Sequence, residues 1–141
     1  MILTGGFVAG TNAGLSFPTW PLMGDSFIPP ALYRDGFLSV FEQVTTIHFN
    51  HRILAYATGL ILISAALQGV LRSHDLRVRI ASALMMAAVT LQIVLGIGTV
   101  LSHVNVTIAA GHQSGAVVLL TTVLFWVHCK RSEVSLAESQ H

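Results

Sequence analysis

The sequence predicts an all-α membrane protein built as a small bundle of transmembrane helices. Of its 141 residues, 53% are hydrophobic and only 9% are charged, whereas a soluble domain carries about 25% charged residues. Apolar stretches at 44–71, 80–101 and 106–128 each supply the roughly 20 residues that a helix needs to cross a bilayer. The formal net charge is +1 and no basic cluster is typical of nucleic-acid binding, so we expect no nucleic acid partner.

Residues 1–12 are interpreted as part of a further membrane helix. Twelve helical residues rise only about 18 Å, against a hydrocarbon core of about 30 Å. The segment lacks the basic start of a signal peptide. We therefore expect the outer half of a helix whose beginning is missing, which gives a C-terminal four-helix transmembrane bundle with a truncated first helix. The chain would be a fragment of a longer protein or a natural short form.

Residues 13–43 are predicted to be a long outer loop. They contain all four prolines of the chain together with several charged side chains. Within them, 37–41 is expected to form a short interfacial helix, because aromatic residues favour the headgroup region.

Positive charge indicates which connections face the inside of the membrane. The connection 72–79 contains three arginines, and the tail 129–141 has a lysine and an arginine near its start, whereas 102–106 has neither. Lysine and arginine mark the inner side, so 13–43 and 102–106 are predicted to face outward. A bacterial plasma membrane is favoured over a mitochondrial inner membrane, since no transit peptide is visible.

His51 and His112 are the leading candidate ligands. Both lie near the outer ends of spans that run from outside to inside. His51 precedes Arg72 by about 21 residues, roughly 32 Å of helix, and His112 precedes Lys130 by about 18 residues, roughly 27 Å. The two imidazoles are thus predicted at nearly the same depth. Polar groups at such positions are costly without partners.

Two imidazoles at equal depth favour axial ligation of a heme iron, which requires neutral nitrogens on opposite faces of a flat ring. Small residues that leave room for such a ring share a helical face with each histidine. They are Ala55, Thr58 and Gly59 near His51, and Ala109, Ala110, Gly115 and Ala116 near His112; Leu54 and Leu119 lie on the same faces. The alternative is that both histidines are only polar residues at headgroup level.

Neighbouring polar residues are assigned supporting roles. Arg52 is expected to reach the headgroups or to bind a heme propionate. Asn50 and Gln113 are expected to orient the imidazoles. His48, one turn before His51, is predicted to face the headgroups and is kept as an alternative ligand. A weak internal echo relates 4–8 to 95–100, each with paired glycines.

Several segments resemble the heme A synthase family, in the same order along nearly the whole chain. They are GFVAG at 6–10, AGL at 13–15, TWPLMG at 19–24, VTTIHFNHR at 44–52, LQIVLG at 91–96 and AAGHQSG at 109–115. The chain departs from the family pattern at His48, where many members have glutamine or a similar residue.

The resemblance implies a function. Members have eight membrane helices in two related halves, each with a histidine pair, and they oxidise a methyl group of heme O to the formyl group of heme A for cytochrome oxidase. The C-terminal half holds heme b. The resemblance therefore implies that His51 and His112 are bis-histidine ligands of heme b iron. No catalytic residue is assigned, because the catalytic carboxylate and substrate ligands belong to the other half, and this chain alone is expected to be inactive.

Two other functions stay open: a stand-alone b-type cytochrome subunit that transfers electrons, and a heme-free membrane scaffold. The expected partners are the lipid bilayer and either the N-terminal half-bundle or a second copy of the chain. Heme O synthase and an electron donor are further expected partners.

Overall fold

A computed structural model describes residues 1–30, 32–34 and 36–138. The predicted all-α class is confirmed, and the described residues form no β-strand. The helices are α1 (Ile2–Gly10), α2 (Ser39–Glu42), α3 (Val44–Arg72), α4 (Leu76–Leu101) and α5 (Val106–Glu138), with short 3-10 helices at Ala13–Leu15 and Gly36–Leu38.

Helices α3, α4 and α5 are long and apolar enough to cross a membrane. Only 17%, 22% and 0% of the residues in their most apolar windows are buried inside the protein. Their large apolar side chains therefore point mostly outward, where lipid would cover them. This pattern, with the composition, is that of an integral membrane protein.

The long helices differ from their predicted limits at two ends. Helix α4 begins at Leu76 rather than near residue 80, because the Asp75 carboxylate accepts a hydrogen bond from the Arg77 backbone N–H at 2.7 Å and so caps the first turn. Helix α5 continues to Glu138, so the tail predicted at 129–141 is helical as far as it is described. That extension has no glycine or proline, and Lys130 pairs with Glu133 at 2.6 Å. Residues 139–141, with His141, lie outside the described residues.

The outer segment 13–43 is mostly irregular, as expected for a loop. It contains an isolated β-bridge between Met23 and Ser26. The interfacial helix expected at 37–41 is a 3-10 turn followed by α2. Ala31, Asp35 and the Phe37 side chain lie outside the described structure.

The chain divides into two compact units. Unit 1 comprises Met1–Thr58 and Val94–Gln113, and unit 2 comprises Gly59–Ile93 and Ser114–His141. Each long helix contributes residues to both units, so neither unit is a continuous piece of sequence.

Unit 2 is held together by small and apolar residues. Val78, Ala81 and the free thiol of Cys129 form a buried cluster against which Trp126 packs. The close approach of two helices requires a glycine at position 69, since a Cβ there would lie 2.0 Å from the hydroxyl oxygen of the fully buried Ser82. A small residue at a helix contact is typical of membrane helix packing.

A polar contact joins α4 and α5 in unit 2. The Trp126 indole N–H donates a hydrogen bond to the Ser82 hydroxyl at 2.9 Å, and that hydroxyl donates to the Val78 carbonyl at 2.7 Å. The buried hydroxyl is thus satisfied both as a donor and as an acceptor.

Candidate functional site

Unit 1 buries polar side chains that a lipid-spanning helix would normally avoid. His48 is 2% exposed and Arg52 is 8% exposed, although both lie in the first third of α3. A buried charge is tolerated only when its hydrogen bonds are satisfied. The hydrogen-bond partners of these two residues therefore indicate the structural role of the first turns of α3.

The Arg52 guanidinium holds the outer loop onto α3. It donates hydrogen bonds to the backbone carbonyls of Phe17 at 3.0 Å, Thr19 at 2.8 Å and Leu22 at 3.1 Å. Its Nε–H donates to Nε2 of His48 at 3.1 Å. Four of the five N–H groups of an arginine are thereby used within the protein.

The prediction that His48 faces the headgroups is wrong. Its ring is buried and lies 6.4 Å, centroid to centroid, from that of Phe17. Because Nε2 accepts the hydrogen bond from Arg52, that nitrogen carries no proton and its lone pair is engaged. The histidine thus serves as an acceptor for Arg52, which counts against the alternative that it binds iron through Nε2.

His51 is bonded at the opposite end of its ring. Its Nδ1 lies 3.0 Å from the hydroxyl oxygen of Thr4 on α1. The Thr4 hydroxyl also donates to the Met1 carbonyl at 2.8 Å, and this pairing matches the His51 tautomer in which Nδ1–H donates to the Thr4 oxygen. This arrangement leaves Nε2 as the nitrogen with the lone pair, the form in which an imidazole binds a metal.

A glycine from another helix lies against each candidate imidazole. A Cβ at Gly5 of α1 would lie 3.4 Å from Cε1 of His51, and a Cβ at Gly96 of α4 would lie 2.9 Å from Cε1 of His112. Both imidazole edges therefore meet bare backbone. Sequence reasoning did not assign these glycines a role, but the weak echo between 4–8 and 95–100 contained both of them.

The two candidate histidines occupy one unit and are close enough to interact electrostatically. Both are half-buried. No group of three or more His, Cys, Asp or Glu that could hold a metal ion occurs among the described residues. An arrangement of two imidazoles suits a metal that already has four ligands of its own, as heme iron does.

Other predicted supporting residues have different surroundings. The Asn50 carbonyl oxygen accepts a hydrogen bond from the Tyr33 hydroxyl at 2.7 Å, which ties the outer loop to α3 a second time. Gln113 is exposed. His103 is exposed in the turn before α5, where it and Val104 have positive φ angles of 53° and 59°.

Comparisons with known proteins agree on one family. The profile of the family of cytochrome oxidase assembly proteins (COX15-CtaA) matches residues 1–124. The chain is 39% identical to a heme A synthase of Nitrosospira multiformis and 42% identical to one of Granulibacter bethesdensis, over 91% and 92% of its length. It is 36% identical to heme A synthase COX15 of Arabidopsis thaliana over 97% of its length.

The matched regions are only part of each relative. They cover 36%, 34% and 31% of these three proteins, so the chain spans about a third of the length of the curated relatives it matches. No solved structure matches the chain.

Proposed function

This chain belongs to the family of cytochrome oxidase assembly proteins, and from that membership we propose that it is the heme-b-binding C-terminal part of a heme A synthase. The activity of the whole protein would be the oxidation of the heme O methyl group to the formyl group of heme A. No catalytic residue is assigned within this chain, and the chain alone is expected to be inactive.

The observation that carries the proposal is the pair of imidazoles in unit 1, each backed by a glycine. We propose that His51 and His112 would hold the iron of heme b. His51 offers Nε2 because its Nδ1–H is bonded to Thr4. The bound heme would supply a one-electron iron couple, and the two side chains would hold and orient it.

Arg52 is proposed to contribute to cofactor binding chiefly by organising the outer side of the site. Its four hydrogen bonds to loop carbonyls and His48 leave one N–H group for a heme propionate. Direct pairing of Arg52 with a propionate thus stays a prediction. The hydrogen bonds of Arg52 to the outer loop are observed in the structure.

The proposed partners follow from the length of the relatives. The N-terminal half-bundle, or a second copy of this chain, would complete an eight-helix protein, and heme O synthase and an electron donor would supply substrate and electrons. The lipid bilayer is the surrounding medium of α3, α4 and α5. The preference for a bacterial plasma membrane stays a prediction, because relatives occur both in bacteria and in Arabidopsis and cattle.

Reduced-minus-oxidised spectra of the chain, produced in bacterial membranes with heme supplied, test the proposal. The wild type should show a b-type band, and His51→Ala and His112→Ala should each abolish the bis-histidine signature. His103→Ala, in the exposed turn, and His48→Gln should retain it. A wild type without the band would refute heme binding, and a band that survives in both alanine variants would refute the ligand assignment.

A second measurement separates a synthase from a stand-alone cytochrome. When the chain is produced together with the N-terminal half of a relative, conversion of heme O to heme A should require both pieces. If the pair binds both hemes but forms no heme A, the electron-transfer alternative is favoured.

A further inference from the structure

We infer that Thr4 is a positioning residue whose hydroxyl fixes the tautomer of His51 and thereby tunes the iron that His51 would bind. The inference rests on the proposed function, since it assumes that His51 is an axial ligand. It goes further by assigning control of that ligand to a side chain on α1, far from it in sequence.

The hydrogen-bond chain has a defined direction. The Thr4 hydroxyl has a single hydrogen, which it donates to the Met1 carbonyl at 2.8 Å. Towards Nδ1 of His51, at 3.0 Å, its oxygen can then only accept. The ring proton is thus held on Nδ1, and Nε2 keeps its lone pair. Both groups are partly shielded from solvent, which strengthens the bond.

The neighbouring residue on α1 supports the same function. Gly5 places bare backbone beside Cε1 of His51, where a Cβ would lie 3.4 Å away. Thr4 therefore holds the ring through Nδ1, while the absence of a side chain at Gly5 leaves room beside Cε1.

His48 shows the contrast within the same helix. Its Nε2 accepts a hydrogen bond from Arg52, whereas the bond of His51 to Thr4 is made at Nδ1. The two histidines carry their protons on the same nitrogen, but only in His51 does the hydrogen bond leave Nε2 to a metal. A hydrogen bond from Nδ1–H to an oxygen also raises the basicity of Nε2, as it does in histidines that bind metals. A more basic ligand favours ferric iron and lowers the reduction potential.

The test compares Thr4→Val, which removes the hydroxyl at nearly constant volume, with Thr4→Ser, which keeps it. Thr11→Val is the matched control, because the Thr11 hydroxyl also donates to a carbonyl one turn back, that of Phe7 at 2.7 Å, and its described hydrogen bond involves no imidazole. For each variant in detergent, heme affinity is measured by titration and the midpoint potential by optical redox titration.

Thr4→Val should weaken heme affinity about 10-fold to 100-fold, the usual cost of losing such a supporting bond, and should raise the midpoint potential. Thr4→Ser should restore both values, and Thr11→Val should match the wild type. Wild-type affinity and potential in Thr4→Val would overturn the inference, as would equal changes in Thr4→Val and Thr11→Val. If the wild type binds no heme, or if His51→Ala keeps it unchanged, the proposed function itself has failed, which is a different result.

Discussion

The two units of this chain differ in the kind of side chain that they bury. Unit 1 buries an arginine and a histidine, joins the two by a hydrogen bond and ties the arginine to three loop carbonyls. Unit 2 buries mainly small and apolar side chains, and an indole-to-hydroxyl hydrogen bond links α4 to α5 there. The same three long helices pass through both units. The difference indicates that unit 1 is organised around polar chemistry, while unit 2 is organised around close packing.

The largest effect is expected from Arg52→Met. Three loop carbonyls and His48 would lose a charged donor, and each hydrogen bond to a charged group contributes about 1.5–3 kcal/mol. The free energy of unfolding in detergent should fall by about 3 kcal/mol or more, measured by denaturant titration with circular dichroism. Arg72→Met, at the exposed end of the same helix, is the control and should change it little. An equal loss of unfolding free energy in both variants would mean that the hydrogen bonds from Arg52 to the outer loop make no specific contribution to stability.

Unit 2 should respond most to Gly69→Ala. The added Cβ would fall 2.0 Å from the Ser82 hydroxyl oxygen, and overpacking of this kind costs about 1–3 kcal/mol. Gly59→Ala is the control, since its Cβ would meet only Ile93 at an ordinary 3.6 Å. Because Gly69 belongs to unit 2, the b-type spectrum should survive in the folded fraction. If Gly69→Ala loses the b-type spectrum while the protein is still folded, the proposal that heme binding depends on unit 1 and not on unit 2 would be wrong.

Gly96→Ala should affect heme rather than the fold. Its Cβ would lie 2.9 Å from Cε1 of His112 and force that ring to move, which should weaken heme affinity about 10-fold to 100-fold. Gly98→Ala, with an ordinary contact of 3.6 Å to Ile108, should bind heme like the wild type. Gly5→Ala should be milder than Gly96→Ala, since its contact with His51 is looser at 3.4 Å. The reverse order in a heme titration would contradict the glycine assignment.

The smallest effect is expected from Trp126→Phe. It removes the hydrogen bond to Ser82 but leaves the hydroxyl donating to Val78, so the free energy of unfolding should fall by about 1 kcal/mol. Trp20→Phe, on the exposed outer loop, controls for loss of an indole. A loss several times larger would show that unit 2 depends on this polar link more than on packing.

Much of the fold could be predicted because its cause is local. Hydropathy and length were enough to find α3, α4 and α5, since a membrane span is a property of about 20 consecutive residues. The end of α5 was missed because 129–138 is polar, and polarity was interpreted as the end of the helix. Helix propensity and the Lys130–Glu133 pair carry the helix further.

For the candidate site, the depth of the histidines could be predicted from local spacing, but their hydrogen-bond partners could not. The depth of His51 and His112 follows from spacing along each helix, but the partner of each ring comes from a distant part of the chain. No local pattern shows that the ring of His48 turns toward Arg52 and the loop, or that Thr4 meets His51. These contacts depend on how α1 and the loop pack against α3, which a single sequence does not encode in any short motif.

The hydrogen bonds from Arg52 to the outer loop determine when, during synthesis, that loop can fold. The carbonyls of Phe17, Thr19 and Leu22 leave the ribosome before the arginine that binds them. The outer loop therefore cannot reach its final form until the start of α3 has been synthesised and inserted. Protease cleavage within 17–22, followed on nascent chains of increasing length, would thus report the arrival of α3 in the membrane.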